Sequence, residues 1–149
     1  MSLNIALKRI LEEYKDARGH SFAGNSMADF IRDQFPQAIR EATVDSDRYL
    51  FEGSPGKGRW SSVPWGAVFD RLVTETAQEG YYLVYLFRED SSGVYLSLNQ
   101  GVTTVRNQYG ADTKQALRVR AADYLARIGN VDSSLITKPI DRKRLRPRC

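Results

Sequence analysis

The sequence predicts an α+β domain, with a small central mixed or antiparallel sheet flanked by N-terminal and C-terminal helices. Three observations predict it. Apolar residues recur at helical spacing over residues 3–16, the period shortens to a strand-like pattern from residue 48 to about 98, and helical spacing returns after Gly101. Helices, then a small sheet, then helices is the element order of an α+β domain.

The first helix takes its apolar stripe from Leu3, Leu7, Ile10, Leu11 and Tyr14, with Lys8, Arg9, Glu12 and Glu13 opposite. Gly19 stops it, and residues 19–25 form a polar loop carrying the only histidine, His20. Ser26 is the expected N-cap of a second helix, with Asp29 as a weak capping-box partner and Met27, Phe30 and Ile31 as its apolar face. Pro36 is expected to end or kink it, leaving Ile39 and Ala42 on a short continuation. Residues 48–52 read as a strand running into the tight loop Gly53-Ser54-Pro55-Gly56-Lys57-Gly58.

Residues 59–69 are aromatic and β-like, but Pro64 argues against a regular central strand. Residues 81–88 are the strongest strand, apolar on both faces and therefore expected to be buried on both. Ser91-Ser92-Gly93 turns into a partner strand, 94–98, and Asn99-Gln100-Gly101 closes the hairpin. A short helix is expected over 103–109, broken at Gly110. A longer one follows an Asp112 or Thr113 cap, with a core stripe of Leu117, Ala121, Tyr124, Leu125 and Ile128 and a stop at Gly129.

A chain of 149 residues fits one compact domain with its own core, assigned here to residues 1–137 and followed by a basic tail, 138–149. The net charge of +4 resides in that tail: five cations and one anion lie between Asp141 and Cys149, and the remainder balances at 17 basic and 17 acidic residues. The tail is either a source of non-specific attraction to phosphates or a solvated end. No apolar run approaches the roughly 20 residues a membrane span needs. The start of the chain has no signal-peptide pattern, so a cytoplasmic location is expected. A single cysteine, Cys149, builds neither a disulfide framework nor a thiolate metal site.

The familiar catalytic patterns fail in turn. The Gly53–Gly58 cluster lacks the first glycine of a phosphate-binding loop, where Phe51 stands, and Gly58 occupies the place of the magnesium-binding Ser or Thr. Glu13-x-Lys15 has the spacing of one nuclease motif, but residues two apart on a helix do not face each other, so a solvated charged face explains the pair. His20 alone assembles neither a metal site nor a hydrolase triad. The chain is therefore expected to be a binding module with no catalytic residue, metal or cofactor.

What stands out is the middle third. Trp60, Trp65, Tyr81, Tyr82, Tyr85, Phe87 and Tyr95 accompany a glycine-rich loop with Lys57 and Arg59. Taken alone, this is an aromatic core beneath a surface loop. It is also the material of a nucleic-acid site, where bases stack on rings and cations hold phosphates.

The run Gly56-Lys-Gly-Arg-Trp60-Ser-Ser-Val-Pro64-Trp65, the strand Gly80-Tyr-Tyr82-Leu-Val-Tyr-Leu86-Phe and the turn Leu98-Asn-Gln100-Gly101 together resemble the N-terminal, base-flipping domain of McrB-type restriction enzymes. The resemblance spans about residues 3 to 129 and rests on the order and spacing of four motifs. It implies recognition of double-stranded DNA carrying 5-methyl- or 5-hydroxymethylcytosine, with the modified base flipped into a pocket. Trp65 and Tyr82 match the residues that sandwich the base, and Leu86 the one that meets the modification at C5. Residues four apart on a strand share a face, so Tyr82 and Leu86 can line one cavity. Gly56, Lys57, Gly58, Arg59 and Trp60 match the segment that enters the duplex.

Lys57 departs from relatives that place a tyrosine between the loop glycines, which passes the filling of the vacated stack to Trp60 or Arg59. The C-terminus departs as well, running into Asp141–Cys149 where the family has a further tyrosine-rich segment and a final helix. The resemblance implies a restriction system active in phage defence, with its nuclease or GTPase motor on a partner. The alternative is a protein-interaction or structural module of a defence system with a degenerate pocket.

Overall fold

A computed structural model describes residues 1–135 and 140, and bears out the α+β class. The basic tail assigned to 138–149 lies outside the described residues, Ile140 excepted. Helix α1 (Leu3–Ala17) buries Ala6, Ile10 and Tyr14 along one stripe. The next helical stretch is α2 (Ser26–Asp29), a π-helical turn over Phe30–Gln34, and α3 (Phe35–Glu41). Its N-cap is Asn25 rather than Ser26: the Asn25 side chain accepts a hydrogen bond from the Met27 amide at 2.9 Å, which makes the cap one residue earlier than expected.

Pro36 does not end the helix. The π turn widens the backbone just ahead of it, and Pro36 then falls in the first turn of α3, where a missing N–H costs little.

The described strands form one antiparallel sheet in sequential order: β1 (Tyr49–Ser54), β2 (Trp65–Asp70), β3 (Tyr81–Phe87) and β4 (Val94–Gln100). β2 is an inner strand, paired on both sides, against the expectation from Pro64. The proline sits immediately before the first paired residue and so bounds the strand without interrupting its ladder.

α1, α2 and α3 cover one face of the sheet. Gly66 lets them approach: a Cβ there would lie 2.4 Å from the Phe35 ring, whose edge meets Tyr85 and Phe87 at centroid distances of 6.1 and 5.8 Å. The core under this layer joins Ile10, Phe30, Ile31, Phe35, Ile39 and Phe87.

Two expectations about burial are overturned. β3 is buried only toward its C-terminal end, while Tyr81 and Leu83 are exposed at 39% and 43%. The helical layer stops short of them. After α4 (Thr103–Tyr109), which matches the expected span, α5 (Thr113–Ile128) has no buried residue, so the stripe of Leu117, Ala121, Tyr124, Leu125 and Ile128 is not core. It meets Tyr81, whose ring lies 4.9 Å from that of Tyr124, and Gln100, whose amide donates to the Leu117 carbonyl at 2.8 Å. Gly129, at φ +73°, ends α5 as expected. Among the described residues, no helix is long and apolar enough to cross a membrane.

Candidate nucleic-acid interface

The loop between β1 and β2 leaves the sheet at Ser54 and returns at Trp65, which are cross-strand partners. Its base is tied shut. The Ser61 amide donates to the Pro55 carbonyl at 2.8 Å, and the Ser61 hydroxyl to the same oxygen at 3.1 Å. From α1, the buried Tyr14 hydroxyl lies 2.9 Å from the Ser61 carbonyl and 3.2 Å from that of Pro55. Desolvation raises the Tyr14 pKa, against the smaller opposing effects of Ser61 and Arg18, so the hydroxyl keeps the proton that makes it a donor. Gly56 makes the turn at φ +128°, where a Cβ would meet the Arg59 carbonyl at 2.0 Å.

Trp60 is an anchor of this loop. Its Nε1 donates to the His20 carbonyl at 2.9 Å, and its ring stands edge-on to Tyr14 and Phe22 at 5.5 and 5.1 Å. Lys57, Gly58 and Arg59 are exposed at the tip. Gly56, Lys57, Arg59, Trp60, Ser61 and Ser62 line an open depression of about 580 Å³. Arg18, at the end of α1, donates to the Ser62 carbonyl at 2.7 Å.

Antiparallel register sorts the aromatic residues onto two sheet faces. Trp65 and Leu86 are direct partners across β2 and β3, so their side chains share a face, and Leu86 is paired in turn with Tyr95 on β4. Tyr82, two strand periods from Leu86, stands on the same face beside Phe69, with ring centroids 5.1 Å apart. Between the Trp65–Leu86 pair and Tyr82 lies the pair of Ala67 and Val84. This face is the one α1, α2 and α3 leave uncovered, and Ile140 packs against its cluster.

Trp65 and Tyr82 are half-buried, whereas Leu86 is only 8% exposed. The Tyr82 hydroxyl donates to the Ala77 carbonyl at 3.4 Å, and burial raises its pKa. Tyr81, Tyr85 and Phe87 point to the other face and belong to the packing against the helices and α5. The structure thus gathers Trp65, Tyr82 and Leu86 on one face, with the Gly56–Trp60 loop rising at the Trp65 end.

Sequence reasoning missed Tyr14, Lys15, Arg18 and Phe22. Tyr14 reads as one more apolar position of an amphipathic helix, and its hydroxyl's partners lie 41 and 47 residues away. No local pattern announces that contact. Among the described residues, no group of three or more His, Cys, Asp or Glu side chains forms a cluster able to hold a metal ion.

A pinned loop with Lys57 and Arg59 at its tip beside an aromatic sheet face offers the cations and rings that nucleic-acid-binding modules use. The sequence model of the family described as MrcB-like, N-terminal domain matches residues 9–144, and the chain belongs to that family. Membership points to a DNA-binding module of a restriction system. No curated protein and no solved structure matches the chain.

Proposed function

We propose that the chain reads a modified cytosine, 5-methyl- or 5-hydroxymethylcytosine, in duplex DNA by flipping the base against the sheet face that carries Trp65, Tyr82 and Leu86. The observation that carries this reading is the common face of Trp65, Tyr82 and Leu86 next to the exposed loop tip. Four residues of strand separate the levels of Trp65 and Tyr82, about 13 Å of backbone. Ala67 and Val84 between them are 0% and 3% exposed, so Trp65 and Tyr82 must part for a ring that needs about 3.5 Å of contact distance on each side.

Leu86 offers an apolar surface for a substituent at C5. Trp60 is committed to the loop base, which leaves Arg59 and Lys57 to flank the duplex. Unstacking a base costs a few kcal/mol, and stacking on aromatic rings returns about 1–3 kcal/mol per base. A nuclease or GTPase motor on a partner would act on the site so marked, in phage defence within the cytoplasm.

The test compares binding to otherwise identical duplexes with and without one modified cytosine. The native protein should prefer the modified duplex, and Trp65→Ala or Tyr82→Ala should each lower that preference by about 5- to 150-fold, the equivalent of one stacking contact, while binding to the plain duplex persists. Equal affinity for all duplexes, unchanged by both substitutions, would sink the proposal.

The second reading, a protein-interaction module with a filled pocket, draws on the 8% exposure of Leu86 and the contact of Tyr82 with Phe69. It predicts a stable protein partner and no duplex binding even at low salt.

A further inference from the structure

We infer that the end of α1 and the β1–β2 loop form one phosphate-binding strip, made of Lys15, Arg18, Lys57 and Arg59, which holds the DNA backbone regardless of base modification. The inference deepens the DNA-binding reading and rests on it. A seam between α1 and the sheet is lined by Lys15, Arg18, Ser62 and Pro64, and it meets the depression at the loop through Ser62, which lines both. The seam holds only about 10 Å³, so it encloses no small molecule and offers only its charged rim.

The distribution of ion pairs leaves the cations of this rim without a carboxylate. Of the eleven Lys and Arg residues between positions 1 and 90, six are paired with a carboxylate: Lys8, Arg9, Arg32, Arg40, Arg48 and Arg88. Among the described residues the other five have no such partner, and four of those five are the residues of the strip; Arg106, Lys114, Arg118 and Arg120 on α4 and α5 are likewise unpaired but do not line the seam or the loop depression. The strip also has a definite end. Arg88 is engaged by Asp90 and by the Tyr95 hydroxyl, and Glu89 lies on the far rim of the seam.

The helix and the loop are one rigid support. Tyr14 binds both sides of the loop base, Arg18 holds the Ser62 carbonyl, and Trp60 is clasped by Tyr14 and Phe22. Unpaired cations carried on one such support bind a line of phosphates by releasing its counterions, with a salt dependence that counts the contacts. They carry no information about the base.

The experiment measures affinity for modified and unmodified duplexes as a function of salt, for the native chain and for Lys15→Gln, Lys57→Gln, Arg59→Gln and the control Lys8→Gln. Arg18 is left in place because its bond to Ser62 supports the loop. Each strip substitution should lower the slope of log affinity against log salt by about 0.9, which amounts to about 3.5-fold less affinity lost between 50 and 200 mM salt. The effect should be equal on both duplexes, leaving their ratio intact, and Lys8→Gln should leave the slope unchanged.

An unchanged slope in Lys15→Gln, or an equal drop in Lys8→Gln, overturns the strip while the preference for modified DNA stands. A drop in slope from a protein that shows no preference for modified DNA upholds the strip and removes the base-flipping reading instead. Absence of any duplex binding by the native chain overturns both.

Discussion

The two helical regions of this domain each carry an apolar stripe, the one on α5 much the weaker, and they meet opposite fates. α1, α2, the π turn and α3 bury Ala6, Ile10, Met27, Phe30, Ile31, Phe35 and Ile39 to 2% exposure or less. α5 buries nothing, and its Leu125 and Ile128 remain 39% and 53% exposed. A helical period states which side of a helix prefers to be dry; whether it becomes dry depends on how much sheet is left to cover. The N-terminal layer takes β1, β2 and the Phe87–Val94 end of the hairpin, and what is left beside α5 is Tyr81, with Leu83, Leu96 and Leu98 still open.

The comparison breaks most readily by truncation. Phe35→Ala removes a fully buried ring that meets Tyr85, Phe87 and the flat face at Gly66, and should cost about 3–5 kcal/mol of unfolding free energy. Leu125→Ala, at the same helical period on α5, should stay within about 0.5 kcal/mol. Urea unfolding of both variants decides the matter, and equal losses would mean that α5 is a structural helix after all.

Gly66→Ala tests the same packing from the sheet side. The new Cβ would sit 2.4 Å from the Phe35 ring and 2.9 Å from Ile39, so the helix must shift, at about 1–3 kcal/mol. Relief of that loss by adding Phe35→Leu would show that the two positions are coupled.

How much of this was legible follows from the same contrast. The short-range punctuation was readable: the extent of α1, the span of α4, the breaks at Gly110 and Gly129, and the hairpin turn at 91–93 all rest on local chemistry. Burial was not, because it depends on where a distant layer ends. β3 looked buried throughout because Leu83 is as apolar as Phe87, which shares its face, and only the limits of the α1–α3 layer separate them.

The candidate site divides in the same manner. The period of a strand puts Tyr82 and Leu86 on one face, but the partnership of Trp65 with Leu86 is a matter of register, and the resemblance alone brought Trp65 to them. Pro64 pointed away from an inner strand because its cost was assigned to the strand, whereas it falls one residue before the ladder. Tyr14 was visible only as a core position.

Tyr14→Phe sharpens the comparison at the one place where the N-terminal layer reaches the interface. The substitution keeps the buried ring and removes the hydroxyl that ties Pro55 to Ser61. The expected loss is about 0.5–1.5 kcal/mol, and affinity for modified and plain duplexes should fall by the same factor because the loop base loosens. A fall confined to modified duplexes would tie Tyr14 to base selection and contradict its role as a brace.

The smallest effect is expected at the β3–β4 turn, at the packed end of the hairpin. Hydrogen bonds from the Ser92 hydroxyl and amide, and then the Arg88 guanidinium, hold the Asp90 carboxyl at about 2, below its usual value of 3.8. A depressed carboxylate adds stability that is fully present above the unfolded value and disappears as pH falls through the folded one. The turn should therefore loosen between pH 3.8 and about 2. Asp90 is solvent-exposed, so the effect is modest. Asp70 and Glu41 are also held low and lose stability in acid, which makes the informative quantity a difference between proteins. The native chain should lose more stability than Asp90→Asn between pH 5 and pH 2.5, measured by urea midpoint, and amide exchange at Ser92 should quicken in the native chain alone. Because Phe87 and Val94 join this turn to the N-terminal core, loosening there should spread toward Phe35 and leave α5 unaffected. The opposite order of exchange would place the weaker coupling at the packed end and undo the contrast between the two helical regions.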